Sequence, residues 1–171
     1  MAGFRGARAR DDKLRMLAYL SGSIEFAPEY GKGWRRGLRP WLEQTLGHRV
    51  YDPAEDEKKN LSDEEVANFR AWKAADPERF RRTVRKIIDW DIDFIEKQAA
   101  YVICYWDGLS AGTTAELTAA YRRGIPVYLV TDVAAGEISG WVLGCVERVF
   151  GSFEELKVFL SGTYRGEQRE A

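Results

Sequence analysis

The segment from Tyr101 to Asp132, YVICYWDGLSAGTTAELTAAYRRGIPVYLVTD, constrains the fold more than any other part of the chain. It opens with an apolar run, Tyr101 to Trp106, and passes through Asp107-Gly108 into the small residues Ser110-Ala111-Gly112-Thr113-Thr114. A helical pattern follows, with Glu116 expected in its first turn. Gly124 stops that helix, and Pro126 opens a second apolar run ending at Thr131-Asp132. Two apolar strands joined by a helix make a crossover, the unit from which parallel sheets are built. Its strand-to-helix turn lies at the carboxyl edge of the sheet, where open α/β folds bind ligands. Small residues there let the backbone approach a ligand, and the N–H groups of the first helical turn attract anions. A carboxylate in the same turn faces whatever is held.

The remaining sequence continues the alternation. Strands are expected over Met16 to Ser21, Arg49 to Tyr51 and Cys145 to Phe150. Helices are expected from Trp34 to Leu46, with Pro40 inside and Gly47 at the end, and from Ser62 to about Ala75, where Ser62 and Glu65 have capping-box spacing. Asp76-Pro77 is an N-cap followed by proline, opening a helix to about Gln98, and Ser152 with Glu155 caps a last helix to about Leu160. Five short strands alternating with helices imply an α/β fold with one doubly wound, five-stranded parallel sheet and helices on both faces. At 171 residues the chain suits one domain, taken as 14–162 between flexible tails at 1–13 and 163–171.

Bulk properties exclude several classes of function. Charge is balanced, with 26 basic and 27 acidic residues for a net charge of −1, so neither nucleic acid nor a membrane is an expected partner. No apolar run reaches membrane-spanning length, and the N-terminal region has no signal-peptide apolar stretch. The two cysteines, Cys104 and Cys145, read as small core residues of a cytoplasmic protein. Six tryptophans and eight tyrosines are ample for a core and for lining a pocket or interface. His48, in LGHR, reads as a solvated turn residue without chemistry.

Three groups of residues are candidates for a site. Glu116 has two readings: Thr113-Thr114-Ala115-Glu116 fits a capping box, in which the glutamate closes a helical turn, while its place beside the crevice suits a nucleophile that attacks an anomeric carbon. Asp91 falls near the middle of the apolar stripe formed by Phe80, Val84, Ile87, Ile88, Phe94 and Ile95, whereas Asp89 and Asp93 project to the other side. A buried acid needs a partner, so Asp91 either pairs with a nearby arginine or meets a ligand. Tyr19, Ser21 and Ser23 gather at the carboxyl end of the first strand, beside the strand that leads to Asp107, where hydroxyls suit sugar or phosphate contacts. Lys32, Arg35 and Arg36 read as a solvated face.

Taken together, YLSGSIE in the first strand, YDP after the second, DIDFI, and YVICYWDGLSAGTTAE resemble the nucleoside 2-deoxyribosyltransferase family. The resemblance runs from Tyr19 to Leu160, with residues 60–80 least matched. It implies a flavodoxin-like enzyme that exchanges the base of a 2′-deoxynucleoside through a covalent glutamyl-sugar intermediate, without a metal or other cofactor. By this resemblance Glu116 is the nucleophile, Asp91 contacts the substrate and assists protonation of the leaving base, and Tyr19 places nucleophile and sugar. Ser21, Gly22, Ser23, Ile24, Asp107, Ser110, Gly112 and Thr113 are the implied substrate-binding residues. A homo-oligomer, dimer or higher, is implied as well. Six residues before the nucleophile the transferases carry aspartate, and this chain has Ser110. The related 2′-deoxynucleoside 5′-monophosphate N-glycosidases carry serine there and hold phosphate with it. After G-S-I those glycosidases carry arginine, where this chain has Glu25. Transfer and hydrolysis are therefore both open. A cytokinin-activating type of phosphoribohydrolase fits less well, since its glycine run is reduced here to Gly112, and a non-catalytic nucleotide-binding domain is the alternative of a different class.

Overall fold

The computed structural model describes residues 16–108 and 110–165. One sheet contains β1 (Leu17–Gly22), β2 (Arg49–Tyr51), β3 (Tyr101–Tyr105), β4 (Val127–Val130) and β5 (Arg148–Phe150). The strands are all parallel and ordered β2-β1-β3-β4-β5, the flavodoxin-like arrangement. The helices are α1 (Lys32–Trp41), α2 (Asp63–Ala75), α3 (Pro77–Gln98), α4 (Ala111–Arg122), α5 (Gly140–Cys145) and α6 (Phe153–Arg165). In this order the chain reverses direction across the sheet between β1 and β3, and a crevice opens beyond their carboxyl ends.

Side chains of a strand alternate between the faces of its sheet, and this period sorts the core into two layers. Tyr19, Val102, Cys104 and Leu129 meet Ile95 of α3, Leu117 and Ala120 of α4, and Val142 of α5. Ala18, Leu20, Ile103 and Tyr128 meet Leu38 of α1 and Leu156 and Leu160 of α6 on the other face. The helix starts expected at Ser62 and Asp76 form as read. The Glu65 N–H donates to Ser62 Oγ at 3.2 Å while Glu65 Oε2 accepts from the Ser62 N–H at 2.9 Å, and the Arg79 N–H donates to Asp76 Oδ1 at 3.0 Å. After Pro40 the α1 helix widens into a π turn over Leu42–Leu46, consistent with the hydrogen bond that proline cannot donate. Gly47, at φ +72°, ends it.

Several local expectations are corrected. Cys145 ends helix α5 instead of opening the last strand, because Val142 and Cys145, three apart, share one buried face. The α6 helix continues past Leu160 to Arg165, held where Tyr164 stacks on Tyr101 with ring centroids 5.1 Å apart. His48 is buried, with Nδ1 2.8 Å from the Tyr101 hydroxyl and its ring edge-on to both Tyr101 and Tyr164. Ile88 leaves the apolar stripe of α3 and is 53% exposed. Both cysteines are buried and unpaired with each other. The tail expected over 1–13, and residues 166–171 of the C-terminal one, lie outside the described residues. Among the described residues no helix is long and apolar enough to cross a membrane.

Candidate active site

Helix α4 starts three residues earlier than the Thr113–Glu116 box requires. Ser110 is its N-cap, its Oγ accepting from the Thr113 N–H at 3.1 Å and from the Thr113 hydroxyl at 2.8 Å. Glu116 therefore sits in the second turn and caps nothing. The pitch of the helix aims it at β1, where residues two apart share a face. The Tyr19 hydroxyl donates to Glu116 Oε1 at 2.7 Å and the Ser21 hydroxyl to Oε2 at 2.5 Å. Burial pushes the Glu116 carboxyl up to about 7, and the two hydroxyls hold it from rising further. Burial and the neighbouring Glu116 charge drive the Tyr19 phenol well above its ordinary value, so it remains a donor. The result is a carboxylate fixed at both oxygens and balanced between its protonated and charged forms near neutral pH.

Opposite stands Asp91 of α3, 9% exposed. Of the two alternatives, an arginine partner or a ligand, the first is met by a different cation, Lys59, whose Nζ lies 2.5 Å from both Oδ1 and Oδ2. Burial pushes Asp91 above the usual carboxylate range and Lys59 draws it back. The Tyr51 hydroxyl is 3.2 Å from Asp91 Oδ1 and 2.9 Å from Asp56 Oδ2, so its single proton serves one carboxylate at a time. Trp90 Nε1 donates to the Tyr51 oxygen at 3.0 Å. The Tyr51 ring packs on Phe94 at 3.8 Å and lies 5.4 Å from Tyr19, so both acids are braced by one aromatic column.

Between these walls lies a cavity of about 770 Å³. Gly22, Ser23, Ile24, Asp107, Ser110, Gly112, Thr113 and Glu116 line one side, and Lys59 and Asp91 line the other. The sequence candidates thus converge, with one distinction: Tyr19 and Ser21 are fully buried behind Glu116 and act on it rather than on the cavity. Ser23 Oγ donates to Asp107 Oδ1 at 2.7 Å, tying the β1 turn to the β3 turn. Two glycines make this approach possible. At Gly22 (φ +153°) a Cβ would stand 2.9 Å from the Tyr105 carbonyl oxygen, and at Gly31 (φ +69°) it would overlap the Ser23 carbonyl oxygen.

Of the basic residues near β1, Arg36 is exposed as expected, whereas Arg35 and Lys32 depart from a solvated face. Arg35 is fully buried; Nη1 donates to the Gly31 carbonyl at 2.8 Å and Nη2 to the Gly22 carbonyl at 2.9 Å, and Nε lies 3.3 Å from Asp52 Oδ1. The guanidinium thus holds the turn that carries Ser21 and Ser23. Lys32 faces Glu57 at 3.4 Å, and Glu25 is matched by Lys73 at 2.5 Å. Sequence reasoning missed Lys59, Tyr51 and Asp56. It also missed the apolar wall that the α2–α3 hairpin supplies through Val66, Phe69, Phe80, Val84 and Ile87. That hairpin's periodicity signals packing, and the wall is visible only once α3 turns the same stripe toward the cavity.

No family model and no curated protein matches this chain. Among solved structures it is similar to a 2-deoxyribosyltransferase from the psychrotolerant bacterium Bacillus psychrosaccharolyticus. The two share 21% identity over 82% of this chain and 90% of that one, with a TM-score of 0.50. At this identity the likeness is one of fold.

Proposed function

We propose that this chain is an N-glycosidic-bond enzyme of the nucleoside 2′-deoxyribosyltransferase type, moving a 2-deoxyribosyl group from one base to another. The observation that carries the reading is the Glu116 carboxylate, fixed by Tyr19 and Ser21 at the edge of a cavity with a second acid, Asp91, on its far wall. The solved structure of similar fold is of a 2-deoxyribosyltransferase, which supports the same chemistry. In the first step a Glu116 oxygen donates an electron pair to C1′ of the sugar as the C1′–N bond breaks, its pair leaving with the base. In the second, a new base attacks C1′ and Glu116 departs as carboxylate; water attacking instead gives hydrolysis. Tyr19 and Ser21 orient the nucleophile in both. Asp91 faces the base, and because Lys59 is paired with it, any proton it delivers requires the ammonium to move away.

Hydrolysis of a 5′-monophosphate is a second reading, favoured by Ser110. Its oxygen accepts both contacts from Thr113, so its own proton is available to a phosphate at the N-terminus of α4. The charge of Glu25 is already met by Lys73, which removes one objection to an anion nearby. Chromatography of deoxynucleosides and their 5′-monophosphates, with and without an acceptor base, separates the readings. Transfer predicts a new nucleoside only when acceptor is present, whereas hydrolysis predicts free base from monophosphates alone. Release from no substrate would refute both. Ser110→Asp should depress turnover of a monophosphate more than of the free nucleoside, and equal effects would remove the phosphate role of Ser110.

A further inference from the structure

Lys59 enters the chemistry described so far only as the partner of Asp91, yet it lines the cavity itself. Its side chain is 8% exposed, lines the same cavity as Glu116, and spans both oxygens of Asp91 at 2.5 Å. Its backbone is held at φ +40°, a left-handed conformation unfavourable for a residue with a β-carbon, while its N–H donates to Asp56 Oδ1 at 3.1 Å. The adjacent Lys58, by contrast, is 71% exposed and pairs with Asp63 at the surface. The loop thus directs one of two neighbouring lysines into the cavity.

An ammonium group is donor-only, so whatever replaces one of its contacts to Asp91 must be an acceptor. Asp91 beside it accepts. Lys59 and Asp91 therefore present a donor and an acceptor side by side, complementary to the C=O and N–H of a lactam edge. The glycosidic bond fixes how a base enters, so a base with an exocyclic amine in place of that oxygen sets two donors face to face. Departure reinforces the preference. The electron pair of the breaking C1′–N bond passes to the base, and in oxo-bases it spreads onto the carbonyl oxygens, where a positive charge is most effective. With Lys59 across it, Asp91 is matched to an ionised carboxylate and is poorly placed to supply a proton, so a base that leaves as a stabilised anion suits the site best.

We propose that Lys59 is the base-recognising residue of this site and selects nucleosides of oxo-bases, those with a lactam edge, over their amino counterparts. This rests on the N-glycoside reading for its context, and it is testable apart from turnover. Calorimetric titration, with Glu116→Gln in every protein so that no bond is broken, compares 2′-deoxyinosine with 2′-deoxyadenosine and 2′-deoxyuridine with 2′-deoxycytidine, pairs oriented by the glycosidic bond that differ only at the edge concerned. With Lys59 present the oxo member should bind at least about tenfold more tightly, and Lys59→Met should collapse that ratio toward one. Because Lys59→Met leaves Asp91 buried without its cation, the Lys59→Met/Asp91→Asn pair is titrated beside it. This neutral pair should lose the preference too, while Lys59→Arg should keep it. Equal affinity for both members with Lys59 present, or an unchanged ratio in a folded Lys59→Met or Lys59→Met/Asp91→Asn protein, would overturn the proposal. Base release from deoxynucleosides with an unchanged ratio would sink Lys59 and leave the N-glycoside reading intact. A Lys59-dependent ratio without release of base from any nucleoside would do the reverse.

Discussion

Replacing Glu116 by glutamine should abolish turnover and at the same time make the protein more stable, by an amount that depends on pH. Burial raises the Glu116 carboxyl from 4.5 to about 7. The native state therefore holds that proton more tightly than the unfolded chain, and its contribution to stability is fully present below about pH 4.5. It is lost as pH rises through about 7, and the charged, buried carboxylate then costs on the order of 3 kcal/mol relative to the unfolded state. Glutamine escapes this cost, but its amide NH₂ confronts a hydroxyl proton of Tyr19 or Ser21, a mismatch worth about 1 kcal/mol. The variant should thus gain about 2 kcal/mol at pH 8, a rise in Tm of about 4–8 °C, and lose about 1 kcal/mol at pH 4.5. Urea unfolding of both proteins across pH 4.5–8 reads this directly, since titrating groups remote from Glu116 cancel in the difference. A stability difference that stays flat with pH would refute the assignment of a raised, proton-holding Glu116.

Three further outcomes follow from the same geometry. Ser21→Ala removes a hydrogen bond that favours the charged form of Glu116, so the acid limb of the kcat/KM profile should move to higher pH; an unmoved limb would mean another group titrates. Gly31→Ala places a β-carbon on the Ser23 carbonyl at a positive φ and should cost about 2 kcal/mol in urea unfolding, with a change under about 0.5 kcal/mol contradicting the packing. Arg35→Met strips the buried Asp52 of its cation and two turn carbonyls of their donor and should destabilise by about 3 kcal/mol, measured the same way; a neutral substitution would show the β1 turn to be held by other means.

The crossover from Tyr101 to Asp132 reveals the sheet because its apolar runs and its small-residue turn are local signals. Asp91 is legible for the same kind of reason, being a charge on an apolar stripe at helical spacing. Glu116 is legible by position, although its turn is misplaced: Ser110 and Thr113 both have capping chemistry, and only packing against β1 decides which one starts the helix. Lys59 is not legible at all. In AEDEKKN neither lysine differs in spacing or polarity, and the loop backbone alone sends one inward and leaves the other in solvent. Arg35 and His48 are hidden for a related reason. Each is buried because other elements supply its partners, the Gly22 and Gly31 carbonyls for one and Tyr101 for the other, and no local pattern announces a partner distant in sequence.

A glutamyl-sugar intermediate requires a covalent bond between Glu116 and C1′ of the sugar. Intact-protein and peptide mass spectrometry on protein mixed with a deoxynucleoside and quenched in acid, without acceptor base, tests it most directly. A deoxyribosyl adduct should appear, confined to the peptide containing Glu116, absent in Glu116→Gln and discharged when acceptor base is added. Base release with no adduct, or an adduct that survives in Glu116→Gln, would contradict it.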